Sequence, residues 1–81
     1  METGYILLNI KPGKKKNLIN QIRKIKSVKE ARIVIGSYDA VAKIEGESIE
    51  EIEKIYINKI DELDGIIDSR LNIVACPRTR K

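Results

Sequence analysis

The apolar residues of this 81-residue chain repeat with a period of two, and twice that period switches to 3.6 and back. Alternation marks a strand with one buried face, and 3.6 marks a helix with one buried stripe. From Tyr5 to Ile10, residues Ile6, Leu8 and Ile10 fall on one face and Tyr5, Leu7 and Asn9 on the other. From Lys14 to about Lys26 the stripe is helical, with Leu18, Ile22 and Ile25 at i, i+4, i+7 and Ile19 at its edge. Alternation returns over Val28–Ile35, with Ala31, Ile33 and Ile35 in phase, and over Tyr38–Glu45, with Ala40, Ala42 and Ile44 in phase. A second helix follows from Ser48 to about Leu63, burying Ile49, Ile52, Ile55, Tyr56, Ile60 and Leu63. The last strand runs from Ile66 to Ala75. The order is βαββαβ, which predicts an α+β, ferredoxin-like fold. Its four strands form one antiparallel sheet in order 4-1-3-2, with two helices on one face.

The junctions carry residues suited to them. Pro12-Gly13 fits a type II turn, in which proline presets one dihedral and glycine supplies a positive φ. Ser48 and Glu51 form a capping box, Asp64-Gly65 ends the second helix, and Pro77 stops the last strand. Between the middle strands, Gly36-Ser37 predicts a two-residue type II′ hairpin. That register sets Ile35 opposite Tyr38, Ile33 opposite Ala40 and Glu30 opposite Lys43. Sliding the turn by one residue would oppose Arg32 to Lys43 and Glu30 to Glu45, and like charges directly opposite are unfavourable.

Size and composition narrow the function. One domain is expected over residues 1–77, with 78–81 a basic, disordered tail. With Cys76 as the single cysteine and no histidine, the chain has no internal disulfide and lacks the commonest metal ligand and general base. We expect no enzyme, no metal and no cofactor. The net charge is +4, but Lys14, Lys15, Lys16, Arg78, Arg80 and Lys81 supply six cations, and without them the remainder is −2. No apolar run approaches the ~20 residues of a membrane span, and an unpaired cysteine suits a reducing cytoplasm. The Ile-, Lys- and Glu-rich composition without Phe or Trp fits a thermophile.

Two helices cover one side of four strands. The other side carries Tyr5, Leu7, Val34, Val41, Ile66 and Val74 among Asn9, Arg32, Asp39, Lys43, Asp68, Arg70 and Asn72. A face close to half apolar is a contact surface, and a domain this small gains stability from a partner. We therefore expect sheet-to-sheet homodimerisation, with Tyr5, Leu7, Val34, Val41 and Val74 as its apolar contacts.

Pro12-Gly13 after the first strand, Val28-Lys29-Glu30 opening the second, Gly36-Ser37-Tyr38-Asp39 at the hairpin and Asp64-Gly65-Ile66 before the last strand recur in one order. This series resembles the RAM (ligand-binding) domain of Lrp/AsnC transcription regulators over Gly4 to about Ala75. The resemblance implies the stand-alone form without a helix-turn-helix domain, so no direct DNA binding is expected. It also implies dimers, a ring of dimers (an octamer), and a small effector, usually an amino acid, held between dimers near the hairpin. Partners would include full-length Lrp/AsnC regulators.

Carried over residue by residue, Gly36 and Asp39 match a Gly-x-x-Asp effector element, with Ser37 and Tyr38 between them. Ser69 matches a common threonine, whereas Leu71 departs from a second threonine and bears on ligand preference. Chemically, Asp39 can accept an ammonium and free N–H groups of the turn can hold a carboxylate. Two functions stay open: an effector-binding sensor, and a structural adaptor that assembles without effector. RNA binding is disfavoured, because base stacking on a sheet needs exposed aromatics and only Tyr5 is available.

Overall fold

The computed structural model describes residues 1–74. In chain order the elements are β1 (Glu2–Ile10), α1 (Lys15–Arg23), β2 (Val28–Ile33), β3 (Ala40–Gly46), α2 (Ile49–Ile55) and β4 (Ile66–Ile73). Tyr56–Ile60 continues α2 as one π-helical turn. The strands form a single antiparallel sheet in order β2-β3-β1-β4, the expected ferredoxin-like arrangement read from its other edge. The tail 78–81, Pro77, Cys76 and the predicted strand end at Ala75 lie outside the described residues.

The core is the sandwich between sheet and helices. Ile6, Leu8 and Ile10 from β1 and Ala40, Ala42 and Ile44 from β3 meet Leu18, Ile19 and Ile22 of α1 and Ile52 and Ile60 of the second helical segment. No polar side chain is buried among the described residues. The alanines under the helices let backbones approach, and Gly46 goes further: a Cβ there would sit 2.9 Å from Ile52 Cγ1. Ser48 caps α2 by accepting the Glu51 N–H, while Glu51 reaches back to the N–H of Glu47 rather than of Ser48.

The predicted register is present: Ile33 opposes Ala40 and Glu30 opposes Lys43. Their charges pair along the strands, however, Glu30 with Arg32 at 3.0 Å and Lys43 with Glu45 at 3.9 Å. Several boundaries differ. β1 begins at Glu2, because Glu2, Thr3 and Gly4 pair with Gly46, Glu45 and Ile44. α1 stops at Arg23, after which Lys24 and Ile25 donate to carbonyls three residues back and tighten the chain toward β2. The second helix is divided because the Asp61 N–H bonds to the Tyr56 carbonyl, five residues back. Ile49 lies on the exposed side. Ile66 packs against the core rather than on the open face, since a bulge at Asn9/Ile10 pairs Asn9 with Asp68 but Ile10 with Ile66. Ile67 is the surplus residue, and it shifts the phase of the strand.

The β1–α1 and α2–β4 junctions meet. Gly13 (φ 86°) completes the predicted Lys11–Lys14 turn, closed by the Lys14 N–H on the Lys11 carbonyl. The Lys11 N–H bonds the Gly65 carbonyl, and Lys14 Nζ lies 3.2 Å from Asp64. That ammonium holds the Asp64 carboxyl below its ordinary range. A depressed carboxyl stabilises the fold above its unfolded pKa, and the contribution is lost as pH falls through the folded value. In Lys14→Gln, an NMR titration of Asp64 should return toward the ordinary midpoint; an unchanged midpoint would exclude the pair as the cause.

Candidate functional site

The hairpin does not form the two-residue turn. β2 ends at Ile33, the Val34 N–H still reaches the Asp39 carbonyl at 2.9 Å, and residues 35–38 form a wider loop. Gly36 has φ 153°, far from the roughly +60° that a type II′ turn needs at its first central residue. The loop therefore projects, and Ile35, expected on the core side opposite Tyr38, is fully exposed. Gly36 and Ser37 are exposed and Tyr38 is half-buried.

Asp39 is anchored. Its N–H donates to the Leu8 carbonyl at 2.8 Å, and its Oδ2 accepts the Ile10 N–H at 2.8 Å. Its other oxygen lies 3.6 Å from Lys15 Nζ at the start of α1. The carboxylate thus closes the β1–α1 junction at the end of the sheet, instead of standing among Tyr5 and Leu7 as the sequence suggests. Its role as a local partner is present in the structure, and its charge is balanced only by a loose, part-exposed ion pair.

Ser69 lies elsewhere. It sits on β4 opposite Leu8, so one strand, β1, separates it from Asp39, which bonds the carbonyl of the same Leu8. With strands ~4.8 Å apart the two backbones are about 10 Å from one another, and the groove that Ser69 lines has none of Gly36–Asp39 in its wall. Ser69 Oγ is 2.6 Å from Tyr56 Oη and donates to Asp61 Oδ1 at 3.1 Å. This relay, which the sequence reading missed, is assembled by the π-helical turn. It lies beside an open groove of about 560 Å³ lined by Glu53, Tyr56, Ile57, Ser69, Leu71 and their neighbours. The groove offers a carboxylate, hydroxyls and apolar wall. Leu71, at the departure from threonine, supplies part of that wall.

The five apolar contacts proposed for the open face share one side. Leu7 opposes Val41 on β3 and Arg70 on β4, and Tyr5 opposes Lys43 and Asn72. Val34 follows Arg32, the partner of Val41, by two residues, and the Val74 N–H bonds the Thr3 carbonyl, two residues before Tyr5. Tyr5 is 39% and Val34 36% exposed, while Leu7, Val41 and Val74 are half-buried. No group of three or more metal-binding side chains and no helix long and apolar enough to cross a membrane occurs among the described residues.

The fold and these features define a small α+β domain of ferredoxin-like architecture. The family model for the Lrp/AsnC ligand binding domain matches residues 3–77, and the chain belongs to that family. The family is regulatory rather than catalytic. An uncharacterised HTH-type transcriptional regulator of Pyrococcus furiosus is 34% identical over 67 residues, which are 79% of this chain and 45% of the relative. The chain thus spans about half the length of the curated relatives it matches. The crystal structure of FFRP-DM1 superposes with a TM-score of 0.87 at 27% identity, covering 91% of this chain and 99% of that one. A transcriptional regulator of Neisseria meningitidis, solved as an L-Met complex, shares the fold alone (TM-score 0.83, 14% identity, 98% of this chain and 53% of that one).

Proposed function

We propose that this domain binds a small effector, an amino acid or a close analogue, at a site completed between chains, and that occupancy tunes its assembly with Lrp-type regulators. The carrying observation is the separation of the effector-type groups. Asp39 bonds Leu8 from one side of β1, whereas Ser69 stands opposite Leu8 on the other side and bonds Tyr56, so within one chain the two sets of groups face different surroundings and a second copy would bring them together. Binding and assembly are then one equilibrium, because a ligand that needs two chains stabilises their contact by mass action. The family's ligand-binding character supports this reading, as does the L-Met complex of the Neisseria regulator. Dimerisation through the open sheet face, a ring of such dimers, and modulation of transcription through partner regulators belong to the same proposal.

Within the site, Asp39 meets the effector ammonium in exchange for the loose contact with Lys15. Calorimetry against a panel of amino acids should find at least one binder. Asp39→Asn should weaken it by roughly tenfold or more through loss of a charge-assisted bond, while its amide oxygen still accepts the Ile10 N–H. No heat with any amino acid would favour the second reading, an adaptor that assembles without effector. Two observations speak for that reading: both Asp39 oxygens already have partners, and Leu71 stands where a hydroxyl would.

A further inference from the structure

The charges of this domain are sorted along the chain, and the fold turns that order into a surface. Between Lys11 and Lys29 there are eight Lys or Arg and no Asp or Glu. Between Glu45 and Asp64 there are eight acids and two lysines. The first segment builds α1 and the start of β2 at one margin of the molecule, and the second builds α2 and the turn into β4. Soluble domains usually intersperse the two signs, and lysine-rich surfaces of thermophile type pair them. Here Lys14 and Lys15 have carboxylate partners. Among the described residues, Lys16, Arg23, Lys24, Lys26 and Lys29 have none within 4 Å and all five are exposed, although the Arg23 guanidinium is held on the Ala31 carbonyl.

Their placement is continuous. Lys16, Asn20 and Arg23 recur at i, i+4, i+7 on the exposed side of α1 and line a shallow groove against β2. Arg23 also lines the adjoining hollow with Lys29 and with Arg32, whose charge Glu30 of the same hollow meets at 3.0 Å. No acid stands in the first turn of α1, so Lys15 and Lys16 oppose the helix dipole there, whereas Arg23 in the last turn suits it.

We propose that this α1–β2 margin is a sequence-independent contact for the phosphate backbone of duplex nucleic acid. The side chains are the lysine, arginine and asparagine that reach phosphate oxygens. A protein partner is a poorer match, because protein interfaces are depleted in lysine and centre on aromatic or apolar anchors. The outward row Lys16, Asn17, Asn20 and Lys24 contains no such anchor, and the groove beside it holds one partly exposed apolar side chain, Ile33. A single strand is a poorer match too, since it binds by stacking on aromatics. The three tyrosines lie on β1, in the hairpin and on the π-helical turn. The groove and the hollow lie open side by side along one margin, which suits a long polyanion better than a small anion. The contact reads no base, and it adjoins the proposed effector loop through Lys15, which pairs with Asp39.

The test is fluorescence anisotropy with a 30-base-pair duplex of arbitrary sequence over a salt series. Wild type should bind with a micromolar Kd at low salt and release steeply as salt rises. Lys16→Glu/Lys24→Glu/Lys29→Glu should weaken binding at least tenfold and flatten the slope of log K against log salt by roughly 0.9 per lost contact. Lys54→Glu/Lys59→Glu, on the acidic side, should change Kd less than twofold. The Lys→Gln triple replaces the first variant if circular dichroism shows it unfolded. Absence of binding at low salt, or equal loss in the two charge-reversal variants, would overturn the proposal. So would loss that follows Arg78→Gln/Arg80→Gln/Lys81→Gln and spares the α1 triple. Displacement of the duplex by polyglutamate at lower charge concentration than by competing duplex would assign the margin to an acidic protein instead.

Discussion

Ile52→Ala should lower the stability of this domain by about 3 kcal/mol, enough to leave much of the chain unfolded at 37 °C. Ile52 is fully buried, and it joins α2 to the sheet where Gly46 has no side chain. Removing three carbons there opens a cavity that the flanking β-branched residues fill poorly. The same contact can be broken from the other side. Gly46→Ala places a methyl 2.9 Å from Ile52 Cγ1, which is not the free end of a flexible chain, and should cost ~1–3 kcal/mol by overpacking. The two defects are complementary, so Gly46→Ala/Ile52→Ala should be clearly more stable than the sum of the single changes implies. Urea unfolding of the four proteins gives the coupling directly. Additive losses would show that the close approach of α2 to β3 is not what Gly46 provides.

Leu7→Asp/Val41→Asp is the second large effect, and it bears on assembly rather than on the fold. The two side chains oppose one another at the centre of the open face, half-buried even in a single chain. In a sheet-to-sheet dimer each would be covered, and desolvating an unpaired carboxylate costs several kcal/mol. At 1.4 kcal/mol per tenfold, the dimer should dissociate with a Kd raised by roughly a thousandfold or more. Sedimentation at micromolar concentration should find wild type dimeric or larger and the variant monomeric, with the circular dichroism unchanged. A monomeric wild type under those conditions would remove the assembly proposal, and with it the shared effector site.

The period of the apolar residues was enough to read the element order, the sheet order and nearly all of the core, because each depends on which residues must leave water together. Charge opposition was enough to fix the β2–β3 register at Ile33/Ala40 and Glu30/Lys43. What it could not reach were local backbone choices of similar energy. The hairpin opened because Gly36 can adopt φ values that a two-residue turn does not use. Ile66 changed faces because one bulge adds a residue to β4, and no alternation pattern announces a bulge. At the candidate site, residue types were legible and geometry was not. Nothing in the sequence signals that Asp39 is held by the Ile10 N–H, or that a π-helical turn brings Tyr56 to Ser69. The whole-chain balance of +4 conceals the run of cations between Lys11 and Lys29, because the acids between Glu45 and Asp64 offset it.

Arg23 forks from α1 onto the Ala31 carbonyl of β2, with Nε at 3.0 Å and Nη2 at 2.7 Å. A main-chain acceptor on a strand at one margin of the sheet is thereby stoppered, while the opposite margin, β4, carries no such plug among the described side-chain bonds. An edge obstructed this way is a poor template for another strand. A domain with one receptive margin can dock a single neighbour by strand pairing and then presents only its blocked side to the next. Cross-strand growth, the hazard of small sheets at high concentration, thus meets a guanidinium at the β2 margin.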